Sequence, residues 1–439
     1  MGNVEKSFSL DRFKEAVQSG LFLPASLTYD YVDEALFEQF QTRREWKESK
    51  MAEIFDELRR RMGYRYFRNV MLAQTFALDY AALQFPVYSM LIAEDLSDDW
   101  LAIVDFHKKH CRDHSLHQPL TAYIAASLLG FGKAEESLSI SIGPGNLLDY
   151  CVSTILTSDN TGYLRETATH FGFPLPMIKD TMAAREFWKG LFYRTVVLST
   201  LFHDIGYPWQ YIDGIGKGLR NNVQILHPID TTASTIIERF KNRLVMLPLR
   251  HYKTGHLFEP INEGEELYKL ITMAMGTHGF PGAIAFLTLN DSIRKFPPDK
   301  PMAMIHEFMV EWAAMGILMH DMVKIHKKGY PKLRVNIQQD PLSAIVSIAD
   351  YLEEFNRPKV FFKPKSRQSQ MKYYSDCLSV EVHLDSKGVL VVKMNFRDKT
   401  SKAIATAIKT EETDDYFDEA DGYLDLSPIG IKKVLFEPE

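Results

Sequence analysis

The sequence predicts a mainly α-helical protein that ends in a small α+β module. Over most of the chain before Pro358, apolar residues recur every three or four positions, which is the spacing of amphipathic helices. The largely apolar run from Val196 to Phe202 predicts a buried helix that Gly206 allows to end. After Pro358 the pattern changes, and residues 378–396 alternate between apolar and polar as two strands do.

The first hundred residues are predicted to form a helical N-terminal region, 1–100. Segments 30–61 and 65–93 have helical apolar spacing with Arg and Glu between the apolar positions. Residues 101–130 continue this pattern, and the Gly and Pro residues of 139–146 predict a loop.

The central region, 101–358, is predicted to be one helical domain. No internal repeat is visible in it. Beyond the loop, apolar periodicity predicts helices at 147–157, 180–205, 230–244, 264–275, 281–290, 302–326 and 341–355.

The C-terminal region, 359–439, is predicted to be a small α+β domain. It begins with a basic stretch, 359–372, which is either a solvated linker or the lining of a nucleotide or single-strand channel. The turn Asp385–Gly388 joins the two alternating runs and predicts a β-hairpin. A short helix is expected at 399–410, before the acidic run 411–421.

Composition limits the function classes. The 439 residues are 46% apolar and 25% charged, as in ordinary soluble proteins, and the net charge of −6 argues against a mainly electrostatic nucleic-acid binder. The three scattered cysteines predict neither a disulfide framework nor a CxxC metal site. No signal-peptide pattern and no apolar stretch of about 20 residues occurs, so we expect a cytoplasmic protein without a membrane span.

His203 and Asp204 give the first indication of chemistry. They follow the predicted buried helix directly, where an imidazole and a carboxylate need a partner to offset the loss of hydration. A bound metal ion would be such a partner. A His-Asp pair is common by chance, so the prediction depends on further ligands elsewhere in the chain.

Four further residues with suitable side chains lie on or beside predicted core helices. Each has a simpler explanation: Asp350 could pair with Arg357, seven residues further along a helix, and the histidines could be ordinary core residues. His114 is an alternative to His117, and His227, His306 and His326 are alternatives to His278 and His320. The four residues are His117, His278, His320 and Asp350.

The order of these residues closely resembles the HD superfamily of metal-dependent phosphohydrolases. The signature of that superfamily runs His, His-Asp, Asp, and its two-metal members add two histidines before the last Asp. Leu201–Gly206 resembles the central motif and Ile345–Asp350 the final one, and the match covers about residues 110–358. The branch stays open, because Gly329-Tyr330-Pro331 is similar to the HD-GYP phosphodiesterases, whereas Tyr207 fits neither these nor the dNTP triphosphohydrolases.

The resemblance implies an HD-domain helical bundle that holds one or two divalent metal ions, namely Mn, Fe, Ni, Co or Mg. His203 and Asp204 are then catalytic, and Lys324, Arg357 and Tyr207 are candidates for binding the substrate, although each could instead be an ion-pair or packing residue. The implied metal ligands are His117, His203, Asp204, His278, His320 and Asp350.

The resulting prediction is an enzyme that hydrolyses a nucleotide phosphoester, first of all a (deoxy)nucleoside triphosphate, with metal-activated water. Two alternatives stay open: a phosphodiesterase or nuclease acting on cyclic or linear oligonucleotides, and an HD domain that binds a nucleotide without turnover. The expected partner is a nucleotide or another small phosphoester. A homo-oligomer is compatible with the sequence, and nucleic acid is not the favoured partner.

Overall fold

A computed structural model of the chain describes its helices, its strands and the loops between several of them. The prediction of a mainly α protein with a small C-terminal sheet is confirmed for these residues. The helices predicted at 30–61, 65–93, 230–244 and 264–275 lie outside the described residues. These are 6–19, 114–142, 145–204, 206, 277–293, 300–327, 334–355, 357–360, 372–375 and 377–439.

The described residues contain ten α-helices, joined in places by short 3-10 turns. Several begin at a recognisable cap: in α5, the Thr181 side chain accepts a hydrogen bond of 3.1 Å from the Ala184 N–H. The helices are α1 (Leu10–Ser19), α2 (His114–Leu128), α3 (Leu147–Thr157), α4 (Gly162–His170), α5 (Met182–Phe202), α6 (Gly279–Ile293), α7 (Lys300–Met319), α8 (Val323–Lys327), α9 (Pro341–Leu352) and α10 (Lys399–Phe417).

The described strands are short, and most of them belong to the C-terminal region. The Asp385–Gly388 turn has the predicted form, because the Asp385 carboxylate accepts hydrogen bonds of 2.8 Å from the N–H groups of Lys387 and Val389. The strands are β1 (Lys6–Phe8), β2 (Val335–Asn336), β3 (Arg357–Val360), β4 (Lys372–Ser375), β5 (Cys377–Leu384), β6 (Val389–Phe396), β7 (Leu424–Asp425) and β8 (Lys433–Pro438).

The chain divides into two compact units. The first contains the described residues up to Tyr150 and those from Ile348 onward, and the second contains the described residues from Cys151 to Ser347. Both boundaries fall inside helices, in α3 and in α9. The C-terminal residues therefore belong to the same unit as α2. The division at 100 and 358 that the sequence suggests stays a prediction.

The second unit has a core of long helices. Helix α5 is buried without interruption from Gly190 to Phe202 and packs against α7, which also packs against α6. An aromatic cluster fills the contact of α5 and α7, where the Phe308 ring lies 5.7 Å from Trp188, 5.6 Å from Trp312 and 5.1 Å from Phe173. The Ser199 hydroxyl donates a hydrogen bond of 2.7 Å to the Ala313 carbonyl and fixes the two helices further along.

The first unit is built on a four-stranded sheet in the order β1, β5, β6, β8. Strands β1 and β5 pair antiparallel, as do β5 and β6, which is the hairpin that the sequence predicts, whereas β8 runs parallel to β6. Helix α10 packs on β8 and β6, and α2 packs near β1. The rings of Phe8 and Phe13 lie 6.3 and 5.6 Å from the Tyr123 ring of α2, so aromatic contacts tie α2 to the N-terminal strand and helix.

Several predicted elements differ in extent from the observed ones. The helix predicted at 302–326 is interrupted at His320–Met322, where the chain turns between α7 and α8. Helix α10 continues to Phe417, because residues 411–417 of the acidic run are helical. Helix α9 ends at Leu352, so Arg357 is in β3 and not two helical turns beyond Asp350.

Membrane spans were expected to be absent. None of the helices in the described part of the chain has both the length and the apolar character that crossing a bilayer requires.

The aromatic cluster of the second unit leads to a prediction about stability. Replacing Phe308 by Ala removes a ring that contacts four others, and we expect the free energy of unfolding to fall by about 3–5 kcal/mol. Chemical denaturation followed by circular dichroism measures this loss. The control is Leu175→Ala, since Leu175 is 67% exposed and should change stability by less than about 0.5 kcal/mol. Equal stabilities of the two variants would contradict this packing.

Candidate metal centre

The His203–Asp204 corner follows the last turn of α5. Both residues are buried, with exposed fractions of 0% and 2%. The chain can turn here because Gly206 lies against the start of α6: a Cβ atom at this position would be 1.8 Å from the His278 carbonyl oxygen. The lack of a side chain at Gly206 therefore brings the corner directly beside His278.

A second close approach brings His278 to His320. A Cβ atom on Gly279 would lie 2.7 Å from the Leu318 carbonyl oxygen, so the first residue of α6 touches the backbone at the end of α7. His278 precedes α6 and His320 follows α7, and both are buried. Two glycines thus allow three helix ends to meet closely enough for their histidines to share one pocket.

The three histidines meet at the Asp204 carboxylate. The Oδ1 atom of Asp204 is 2.9 Å from Nε2 of His278 and 3.6 Å from Nε2 of His320, and its Oδ2 atom is 3.6 Å from Nε2 of His203. The Nε2 atoms of His278 and His320 are themselves 2.9 Å apart. We call these four residues, His203, Asp204, His278 and His320, the Asp204 cluster.

In His203 and His320, a hydrogen bond at Nδ1 determines that Nε2 faces the cluster. Nδ1 of His203 lies 2.7 Å from the Thr200 carbonyl oxygen, and Nδ1 of His320 lies 2.6 Å from the Ile317 carbonyl oxygen. A carbonyl oxygen can only accept, so Nδ1 carries a proton in both rings. In the neutral rings, Nε2 then has no proton and presents a lone pair toward Asp204.

These lone pairs make the Asp204 cluster a candidate cation site. Unprotonated nitrogens and carboxylate oxygens repel one another at 2.9 Å in a buried pocket, unless a proton or a metal ion lies among them. Ligand atoms of His203, Asp204 and His320 all lie within 4.8 Å of one another. Two nitrogens 2.9 Å apart fit neighbouring ligands of one ion with bonds of about 2.1 Å. The cluster could hold a metal ion, and imidazole with carboxylate suits divalent transition metals.

Asp321 supports the same site from behind His278. Its Oδ2 atom accepts a hydrogen bond of 2.9 Å from the His278 backbone N–H and lies 2.8 Å from Nδ1 of that ring, while Oδ1 is 2.7 Å from Nζ of Lys324. Burial works to raise the pKa of the Asp321 carboxyl, but the opposing effects of His278 and Lys324 are stronger and hold this pKa well below its usual value. A charged Asp321 favours a proton on Nδ1 of His278, as the carbonyls do for the other two rings.

The first unit contains a second cluster of the same kind. Nε2 of His117, on α2, is 3.2 Å from Oδ1 of Asp350 on α9, and Nδ1 of His117 contacts Oε2 of Glu353. The other oxygen of Glu353 accepts a hydrogen bond of 3.0 Å from the Phe355 N–H. His117 and Glu353 are buried, and Asp350 is partly buried. We call these three residues, His117, Asp350 and Glu353, the His117 cluster.

Both clusters contain metal ligands that the sequence predicts. His203, Asp204, His278 and His320 are brought together in the second unit, and His117 and Asp350 in the first. Of the competing histidines, His326 is buried in α8, while the His227 residue and the His114 and His306 side chains lie outside the described part.

The three residues predicted to bind the substrate are less fully described. The Lys324 side chain is 47% exposed and forms an ion pair with Asp321. The Arg357 side chain and all of Tyr207 lie outside the described residues. Their roles toward a substrate stay predictions.

Sequence reasoning did not identify the supporting carboxylates, Asp321 and Glu353. Signals for both were present: Asp321 repeats the His-Asp pair at the end of another apolar helix, and Glu353 follows Asp350 by three residues after an apolar run. A buried carboxylate beside a candidate ligand is a candidate for holding a histidine ring, because histidine ligands of metals commonly donate their second N–H to such a group.

Comparisons with known proteins identify no relative. No family model, no curated protein and no solved structure matches the chain.

The contacts of Glu353 lead to a prediction for Glu353→Gln. Glutamine has one amide oxygen, which can face either the Phe355 N–H or the His117 ring, but not both. If its NH₂ group faces His117, the proton moves to Nε2 and blocks that lone pair. We expect Mn²⁺ or Co²⁺ affinity to fall by about 10- to 100-fold, as titration of the purified protein would measure.

The matched control for that substitution is Glu136→Gln. Glu136 is in the same unit, but its side chain is 46% exposed and pairs with Lys133. The metal affinity of the Glu136→Gln variant should equal that of the unaltered protein. If Glu353→Gln also binds metal with unaltered affinity, Glu353 does not control the His117 ring.

Proposed function

We propose that the chain is a metal-dependent phosphohydrolase that acts on a nucleotide, first of all a (deoxy)nucleoside triphosphate. The observation that supports it most is the Asp204 cluster, in which the ring nitrogens of three buried histidines surround one buried carboxylate. The second support is the order of the candidate ligands along the chain, which resembles the HD superfamily. The resemblance supplies the reaction class, and the cluster supplies the donor atoms for a metal.

We further propose that the ligands predicted from the sequence hold one or two divalent metal ions. Each cluster has the same internal design, since histidine Nε2 atoms face a carboxylate. In each cluster, too, a carbonyl or carboxylate group holds Nδ1 of the histidines. The proposed metal ligands are His117, His203, Asp204, His278, His320 and Asp350.

Such a centre gives the chain's own residues defined roles. A bound divalent ion lowers the pKa of a coordinated water and offsets negative charge on a phosphoryl group. Asp204 has two oxygens that face different histidines, so it can serve two ligand positions at once. The carbonyls of Thr200 and Ile317 keep the rings of His203 and His320 fixed in orientation, which reduces the reorganisation that ion binding requires.

Lys324 is the described residue best suited to contact a phosphate near this centre. Its ammonium group has three N–H donors, and the ion pair with Asp321 uses one of them on a side chain that is 47% exposed. The anchoring by Asp321 also limits the positions that the ammonium group can take. In this proposal Tyr207 and Arg357 complete the substrate contacts, Tyr207 by stacking on a base and Arg357 by binding phosphate oxygens.

The proposal is tested with the purified full chain and a panel of substrates. The panel contains ribo- and deoxyribonucleoside triphosphates, cyclic dinucleotides and single-stranded oligonucleotides, each with and without Mn²⁺. We expect hydrolysis of a nucleoside triphosphate that a chelator abolishes and Mn²⁺ restores. Asp204→Ala should lose bound metal and activity together, because it removes the carboxylate that all three histidines face. The control Asp180→Ala, which breaks an exposed pair with Arg185, should lose neither.

Other outcomes would replace parts of the proposal. Turnover of cyclic or linear oligonucleotides alone would make the protein a phosphodiesterase or nuclease with the same centre. Tight nucleotide binding without any turnover would make it a binding protein rather than an enzyme. Full activity in Asp204→Ala would show that the centre is not the site of catalysis.

A further inference from the structure

Lys409 of helix α10 is a lysine with an exposed fraction of 0%. A buried ammonium group is costly unless oxygen atoms surround it, and here three do. Its Nζ atom lies 3.3 Å from Oε2 of Glu354 and 2.8 Å from Oε2 of Glu412, and it donates a hydrogen bond of 2.6 Å to the Tyr351 carbonyl oxygen. It also lies 4.6 Å from the centre of the Tyr351 ring.

Two of these contacts reach the end of α9, which carries the His117 cluster. Tyr351 directly follows Asp350, and Glu354 directly follows Glu353. The two adjacent glutamates thus point to different partners, Glu353 to His117 and Glu354 to Lys409. The Tyr351 hydroxyl adds a hydrogen bond of 2.6 Å with the Thr413 hydroxyl, one helical turn beyond Lys409 in α10.

The remaining parts of the first unit fix α2 on the same scaffold. Strand β1 pairs with β5 of the C-terminal sheet, and Phe8 of β1 contacts Tyr123 of α2. Helix α10 packs on β6 and β8 of that sheet. The helix that carries His117 and the segment that carries Glu353 are therefore both attached to the C-terminal module within one compact unit.

We infer that the C-terminal module positions the His117 cluster, and that Lys409 is the positioning residue through which α10 does so. The ammonium group holds Glu354 and the Tyr351 carbonyl, and so fixes the short segment in which Glu353 receives His117. The module is then part of the metal site rather than a separate appendage. The consequence for metal affinity rests on the proposed function, whereas the positioning of Glu353 does not.

Lys409→Met tests the inference in the full chain. Methionine nearly matches the length of lysine but has no charge and no donor, so Glu354 and the Tyr351 carbonyl lose their shared partner. In the metal-free protein, we expect faster hydrogen–deuterium exchange of the Phe355 amide, which donates to Glu353. In Mn²⁺ and Co²⁺ titrations, we expect the affinity to fall by about 10-fold and the Co²⁺ absorption spectrum to change.

Two further variants separate positioning from a general loss of stability. Lys393→Met removes a lysine of the same module that pairs with Glu439 at the surface and should change neither readout. In the double variant Lys409→Met, Glu354→Gln, both charges of the Lys409–Glu354 pair are removed. The free energy of unfolding should therefore recover toward that of the unaltered protein. We expect its metal affinity to stay low, because nothing replaces the Lys409 contacts.

The results test the inference about Lys409 and the proposed function separately. If the metal affinity of the double variant recovers together with its stability, Lys409 acts on stability alone and the inference fails. It fails also if Lys409→Met leaves the exchange of the Phe355 amide unchanged. If the unaltered chain binds neither Mn²⁺ nor Co²⁺, the proposed function fails, and the exchange of the Phe355 amide still decides the inference.

Discussion

The Asp204 cluster of the second unit is governed by one electrostatic constraint, the meeting of ring nitrogens and a carboxylate in a buried pocket. Carbonyl groups of the helix ends fix a proton of His203 and of His320 on Nδ1, so in the neutral rings both Nε2 atoms face Asp204 without a proton. An uncompensated charge at such a depth costs several kcal/mol. A proton or a metal ion among these groups offsets that cost, and the cluster could hold a metal ion.

The two clusters show how supporting residues can define a site as clearly as the ligands do. In the second unit Asp321 lies behind His278, and in the first unit Glu353 lies behind His117. Both carboxylates also accept a backbone N–H, so neither can turn away without leaving a buried donor unsatisfied. The Lys409 contacts extend this support to the C-terminal helix, and they give a physical reason for a sheet and helix that carry no recognisable motif of their own.

The sequence pointed to residues that lie together in the two clusters, but not to the residues that support them. Apolar periodicity located α5, and the desolvation argument at its end identified His203 and Asp204, because a buried charged pair is a local signal. The hairpin at 378–396 was equally local, since alternation and a turn define it. The roles of Asp321 and Glu353 depend on contacts across 43 and 236 residues, which no spacing rule encodes. Helix α9 ends at Leu352, so Arg357 lies outside it. No glycine or proline adjoins Leu352 to mark this end in the sequence.

The most direct test of the central claim is a crystal structure of the protein grown with Mn²⁺, with diffraction data measured at the manganese absorption edge. Our account predicts an anomalous peak bonded to Asp204 and to Nε2 of His203, His278 and His320, at distances of about 2.1–2.2 Å. It would be contradicted by a structure in which these four side chains keep their present contacts and no anomalous peak lies among them.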